Sequence, residues 1–300
     1  MHCPLCGNDI ARKEPAKHLP RFFRCPQCTG FVTDSTEAPV YPETYFTEES
    51  SDQKRASIFS PLLNFFLWLR FKKVSRWLPH EGGEILDYGC GSGKLVAYLR
   101  SKGLSVEGYD PSPGAVSLAQ RRGLPVFRTI PQKQYDLGMF WHSLEHTDTP
   151  LADILALKKH LVPTARLLLA VPHGDSIEAH LARTSWFCYD WPFHRVHFTP
   201  MALSKLLRKA GFKTLSIEYV NPEYTVSSLA QTFLNLFLPK NVLYSLVSHR
   251  RATERKGVLL LTAVASALLL MLCFPLLLVF FLITLLFKKT AAMIVVAEKI

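Results

Sequence analysis

Residues 84–93 read Glu84-Ile-Leu-Asp-Tyr-Gly-Cys-Gly-Ser-Gly93, and this stretch decides the fold. Ile85 and Leu86 have the character of a buried strand. Gly89, Gly91 and Gly93 predict a tight turn, and 94–103 predicts a helix stopped by its final glycine. Leu104-Ser-Val-Glu-Gly-Tyr-Asp110 predicts a second strand ending in an acid. Strand, glycine turn, helix, strand, acid opens a doubly wound α/β sheet, which binds a nucleoside at the carboxyl ends of its strands. A dinucleotide fingerprint needs a third glycine where this chain has Lys94. Asp87, beside the loop, would also repel a pyrophosphate; it suits a ligand with a sulfonium and an ammonium group. Asp110 stands 21 residues beyond Gly89, placed to accept from both ribose hydroxyls.

Working outward, the chain reads Tyr135-Asp-Leu-Gly-Met-Phe-Trp-His-Ser-Leu-Glu-His146, then His160-Leu-Val-Pro-Thr-Ala-Arg-Leu-Leu-Leu-Ala-Val-Pro172. His194-Arg-Val-His-Phe-Thr-Pro200 and Leu207-Arg-Lys-Ala-Gly-Phe212 follow. With 85–93 and 106–112, these stretches resemble, in family order, the class I S-adenosylmethionine-dependent methyltransferases. The resemblance implies a Rossmann-like sheet with S-adenosylmethionine held by Asp87, Gly89, Cys90, Gly91, Gly93, Asp110 and Pro111. One departure concerns the adenine: the third strand, near 125–128, is not followed by the family's usual acid.

The acceptor side is expected at His142, Glu145 and His146, just after the fourth strand. Methyl transfer needs the nucleophile held in line and, for a hydroxyl or amine, relieved of a proton. Imidazole suits that role near neutral pH, and His142 directly follows the strand. Glu145 and His146 resemble a pair in ubiquinone-type O-methyltransferases, where a divalent metal assists; that pattern has an acid where this chain has His142. Alternatively, Glu145 and His146 brace the next helix. The resemblance places 194–200 over the site as a lid, with Thr199-Pro200 as a helix start. The nearby aromatics (Trp186, Phe187, Tyr189, Trp191, Phe193) either bind an acceptor or pack lid against sheet.

Cys3-Pro-Leu-Cys6 and Cys25-Pro-Gln-Cys28 are two matched knuckles. Four thiolates fill a tetrahedral shell, so the spacing predicts structural zinc on Cys3, Cys6, Cys25 and Cys28. A redox pair is the competing use. The ribbon followed by Tyr41-Pro-Glu-Thr-Tyr-Phe46 resembles a subgroup found in bacterial surface-polysaccharide and lipid pathways.

Residues 258–287 carry no charge and are flanked by Arg250, Arg251, Arg255, Lys256, Lys288 and Lys289. Such a run predicts membrane contact. Residues 213–220 and 292–298 alternate as the sixth and seventh strands of the sheet, so the run is an insertion between them. A chain that leaves and returns on the same side predicts a re-entrant hairpin bent at Pro275; one tilted span is the alternative. Segment 227–247 predicts interfacial helices; segment 62–77 mixes aromatics and bases likewise and either touches lipid or is an amphipathic helix covering the sheet edge.

The expected organisation is a zinc ribbon over 1–34, the methyltransferase domain over 35–220, a membrane-associated helical insertion over 221–289 and the final strand over 290–300. The net charge of +11 suits an anionic membrane lipid or nucleic acid. An RNA enzyme has no use for the apolar insertion, which disfavours nucleic acid. The expected function is methyl transfer at the cytosolic membrane surface to a hydroxyl, amine or carbon of a lipid-linked, glycan or small-molecule acceptor. An RNA methyltransferase and a non-catalytic cofactor-binding scaffold are the alternatives.

Overall fold

A computed structural model describes residues 2–10, 15–33, 60–244 and 256–300. The Tyr41–Phe46 motif, most of the connector before it, residues 245–247 and the basic residues Arg250, Arg251 and Arg255 lie outside the described residues.

Three short strands come first: β1 (Pro15–Ala16), β2 (Leu19–Arg24) and β3 (Phe31–Thr33). Helix α1 (Ser60–Trp77) precedes β4 (Glu84–Tyr88), the strand that carries the glycine loop. The alternation continues with α2 (Lys94–Ser101), β5 (Ser105–Tyr109), α3 (Pro113–Arg121), β6 (Val126–Phe127), β7 (Tyr135–Trp141), α4 (Pro150–Lys158) and β8 (Leu161–Pro172). Then come α5 (Ile177–Ala182), β9 (Val196–His197), α6 (Pro200–Lys209), β10 (Phe212–Glu218), α7 (Pro222–Leu234), α8 (Lys256–Leu286) and β11 (Ala292–Lys299).

Seven strands form a mixed sheet in the order β10-β11-β8-β7-β4-β5-β6. Strands β4 to β8 pair in parallel, and β11 runs antiparallel to both β8 and β10. The interior strands are buried on both faces, which explains near-continuous apolar runs such as Leu167–Val171 and Ala292–Ala297. Asp87 is flanked by Gly108 of β5 and Met139 of β7, where the chain order reverses. That reversal leaves a crevice beyond the strand ends, into which the glycine loop and the loop after β7 project. Local signals set the helices: the Ser112 hydroxyl accepts from Ala115 N–H at the start of α3, with Pro113 in the first turn.

The ribbon does not stand apart from this domain. Its sheet runs β1-β2-β3-β9, and β9 belongs to the segment expected over the site. Phe31 pairs with His197 and Val32 with Val196. Leu5, Ile10 and Val32 share one buried cluster with Phe198, Leu203 and Leu206.

The insertion differs from the hairpin expected. The apolar run is one unbroken helix of 31 residues, α8, with Pro275 inside it. Proline removes one backbone hydrogen bond, about 3 kcal/mol against a helix. The continuous Leu-rich turns on either side keep their own bonds and carry the helix through. By length and hydropathy, Leu261–Leu286 could cross a membrane, and only 6% of its apolar window is buried.

Candidate active site

Asp87 closes the apolar part of β4, which buries it to 2% exposure. Burial pushes its carboxyl up to about 7; nearby Arg70 opposes that rise and Asp110 adds to it. One carboxylate oxygen, Oδ1, is buried without a hydrogen-bond partner. A buried acceptor left open is costly unless a ligand donor completes it, and the ammonium of S-adenosylmethionine fits that need.

The loop itself must be glycine. Gly89 has φ +77°, and a Cβ there would lie 2.5 Å from Cβ of Ser143. Gly91 also has positive φ, and its N–H donates to Asp110 Oδ2 at 2.8 Å. Ser112 N–H donates to Asp110 Oδ1 at 2.9 Å. Asp110 therefore orders the loop and keeps lone pairs for a ribose diol. The loop, Asp110 and Pro111 line a cleft of about 720 Å³, closed on its other wall by Phe140, His142, Ser143, Leu144 and His146. Gly93 and Cys90 stand differently. Gly93 faces Leu124 and Val126, and the Cys90 thiol packs under the loop against Gly108. These two shape the loop through the backbone and do not line the cleft; the buried Asp87 lies behind its wall and does not line it either.

His142, Glu145 and His146 fall into two sets. His142 has φ +53°, a left-handed backbone conformation uncommon outside glycine. Its Nδ1 lies 3.2 Å from Glu145 Oε1, and its Nε2 is buried without a partner. With Nδ1–H donating to the carboxylate, Nε2 carries the free lone pair. Burial pushes the imidazole down to about 3, and the Arg70 cation adds to that, so the ring is neutral. His146 instead meets His194 edge-on, its Nδ1 3.2 Å from the Phe193 carbonyl. Burial, with His194 beside it, pushes His146 down to about 4. Ligand atoms of Glu145, His146 and His194 lie within 4.8 Å of one another and could hold a divalent cation.

The four ribbon sulfurs also lie within 4.8 Å of one another, with Cys3–Cys28 at 3.7 Å and Cys6–Cys25 at 3.6 Å. A tetrahedron with Zn–S bonds of about 2.3 Å has edges of about 3.8 Å. The two knuckles are alike: Gly7 N–H donates to the Cys3 carbonyl and Thr29 N–H to the Cys25 carbonyl, both at 2.8 Å and both with positive φ. The donor set therefore fits structural zinc.

Three residues at the site carry no signal in the sequence. Arg70 looks like a surface base of an amphipathic helix, yet its Nε donates to Glu223 Oε2 at 2.6 Å, and its guanidinium lies 5.4 Å from the Trp141 ring centroid. Glu223 and Tyr224 belong to the segment read as insertion, yet the Tyr224 ring stacks on His142 with centroids 3.4 Å apart. Only the folded chain brings α1 and α7 to the end of β7.

Several known proteins are similar to this chain. A putative sarcosine dimethylglycine methyltransferase of Galdieria sulphuraria superposes over 79% of this chain and 86% of its own, with TM-score 0.49 and 13% identity. A SAM-dependent methyltransferase of Archaeoglobus fulgidus covers 78% and 94%, with TM-score 0.47 and 18% identity. Curated ubiquinone biosynthesis O-methyltransferases of Cereibacter sphaeroides are 26% identical over an alignment 161 positions long that covers 47% of this chain. The chain spans 64% of the length of these relatives. A family model described as a methyltransferase domain matches residues 63–217. That match takes in the glycine loop, both acids and the chain from β7 into β10, and by it the chain belongs to the class I S-adenosylmethionine-dependent methyltransferases.

Proposed function

We propose that the chain methylates an acceptor at the cytosolic surface of a membrane, using S-adenosylmethionine. The observation that carries this is the pair of acids around the glycine loop, with the neutral His142 lone pair at the end of the neighbouring strand. S-adenosylmethionine supplies an electrophilic methyl on a sulfonium. Asp110 would hold the ribose and Asp87 the ammonium, with the Gly89–Gly91 turn leaving room beside them for the methionine portion. His142 Nε2 would accept the hydrogen bond of the acceptor group and orient it toward the methyl, with Glu145 fixing the tautomer; an imidazole held down at about 3 keeps a proton poorly, so the proton passes on to solvent. The O-methyltransferase named among the curated relatives favours a hydroxyl over an amine or carbon. A divalent cation on Glu145, His146 and His194 would lower the pKa of such a hydroxyl. Zinc on the four cysteines has no open position and serves the fold.

The exposed, uncharged stretch Leu261–Leu286 of α8 supports the membrane placement, with a lipid-linked, glycan or small-molecule acceptor within reach. The test is to add S-adenosylmethionine with a tritiated methyl to membranes of cells that make the full chain, of cells that make D110A, and of cells that make neither. Tritium should pass into the organic-soluble or glycan fraction only with the wild-type chain. Label in RNA instead would overturn the acceptor class, and label in no fraction would overturn the activity.

A further inference from the structure

Helix α7 is built inside out for a helix in water. Its polar side chains Thr225, Ser228, Gln231 and Thr232, with Asn235 just beyond it, are buried. The Ser228 and Thr232 hydroxyls donate to the buried Glu178 carboxylate at 2.8 and 3.2 Å, and Gln231 donates to Asn235 at 2.8 Å. Its outward residues are apolar: Val226 is 53% exposed, and Leu236 and Phe237, past its end, are 54% and 62% exposed. A polar face turned inward and an apolar face turned outward imply that the outside is lipid rather than water.

Helix α1 repeats the theme beside it. Val74 is buried and Leu67, Phe71 and Trp77 pack against the sheet. The opposite stripe reads Phe65, Trp68, Lys72, Arg76, with the Phe65 and Trp68 rings stacked at 5.8 Å and the Lys72 ammonium 5.7 Å from the Trp68 ring. Aromatic rings followed by two bases on one stripe match the boundary between acyl chains and anionic headgroups.

The reach of the chain sets how α8 can lie. The Tyr244 N–H donates to Gln231 of α7 at 2.7 Å, so that residue is held at the body of the protein. From Tyr244 to Lys256 there are twelve residue steps, at most about 42 Å. That stretch includes Arg250, Arg251, Glu254 and Arg255, and charged side chains are costly inside hydrocarbon. The other end of α8 returns at once to β11 in the sheet. Both ends of α8 therefore sit at one interface.

We propose that α1, α7 and α8 form one surface seated on an anionic leaflet, and that an acceptor with an apolar tail enters the site from that leaflet through the seam between α1 and α7. The Arg70–Glu223 pair closes this seam, and Tyr224 fills the space over His142. Beneath them lie the two buried orphans, Asp87 Oδ1 and His142 Nε2. The cofactor cleft reaches His142 from the other side, between the glycine loop and the Leu144–Thr149 segment. Donor and acceptor thus have separate doors, one facing water and one facing lipid. This rests on the membrane methyltransferase reading above.

The experiment uses the full chain in phosphatidylglycerol–phosphatidylcholine vesicles, with and without brominated acyl chains. Flotation with the vesicles tests the membrane placement itself. Brominated chains should quench tryptophan fluorescence, and W68F should remove most of that quenching. W191F should not, because Trp191 lies under Arg21 of the ribbon, 4.9 Å from its guanidinium. V226D should still float and still bind S-adenosylhomocysteine, but should lose most transfer of tritium to organic-soluble acceptor. A wild-type chain that floats, with quenching unchanged in W68F and transfer unchanged in V226D, would overturn the seam while leaving the methyltransferase in place. A chain that does not float would overturn the seam together with the membrane placement, while S-adenosylhomocysteine binding would still report on the methyltransferase.

Discussion

Replacing Asp110 by asparagine tests the cofactor site most directly. Its two carboxylate oxygens accept from Gly91 N–H at 2.8 Å and Ser112 N–H at 2.9 Å, and the residue is only 8% exposed. Asparagine has one oxygen. Whichever way its amide turns, its NH₂ faces a backbone N–H, and one buried donor loses its acceptor. Such a loss costs about 1–3 kcal/mol. A ribose hydroxyl on the same edge also loses its acceptor. Cofactor affinity should therefore fall by about 5- to 150-fold, since about 1.4 kcal/mol is tenfold. Titration calorimetry with S-adenosylhomocysteine on wild type and D110N, alongside their melting temperatures, measures both parts. Equal affinities would refute the ribose assignment. A lowered melting temperature with unchanged affinity would mean that the carboxylate only orders the loop.

Affinity for S-adenosylhomocysteine should also depend on pH through Asp87, whose carboxyl is raised to about 7. The ionised form pairs with the ligand ammonium and the protonated form does not, so affinity is full above that pKa and falls as pH drops through it. The weakening should be about tenfold between about pH 8 and about pH 6, and D87N should bind weakly with a flat profile. Elemental analysis should find one zinc per chain, and C25S should lose it. Because β3 pairs with β9, C25S should also raise amide hydrogen exchange around Val196 and His197; unchanged exchange there would show that the ribbon does not hold that segment.

Patterns of short range were legible in the sequence. The glycine loop between a strand and a helix, the acid that ends the next strand, the paired cysteine knuckles and the apolar run each depend on neighbours within a few residues. The backbone rules that govern them, positive φ at Gly89 and 3.6-residue periodicity in α2, act at that range. The structure alone decided what meets across the chain. Arg70 joins Glu223, 153 residues away, and Tyr224 reaches His142, because both α1 and α7 dock at the end of β7. Pairing of β3 with β9 ties a ribbon to a segment more than 160 residues on, which no local spacing encodes. Whether Pro275 bends the apolar run was equally a matter of context. A proline removes one hydrogen bond, and the unbroken bonding of the turns around it makes α8 a single helix.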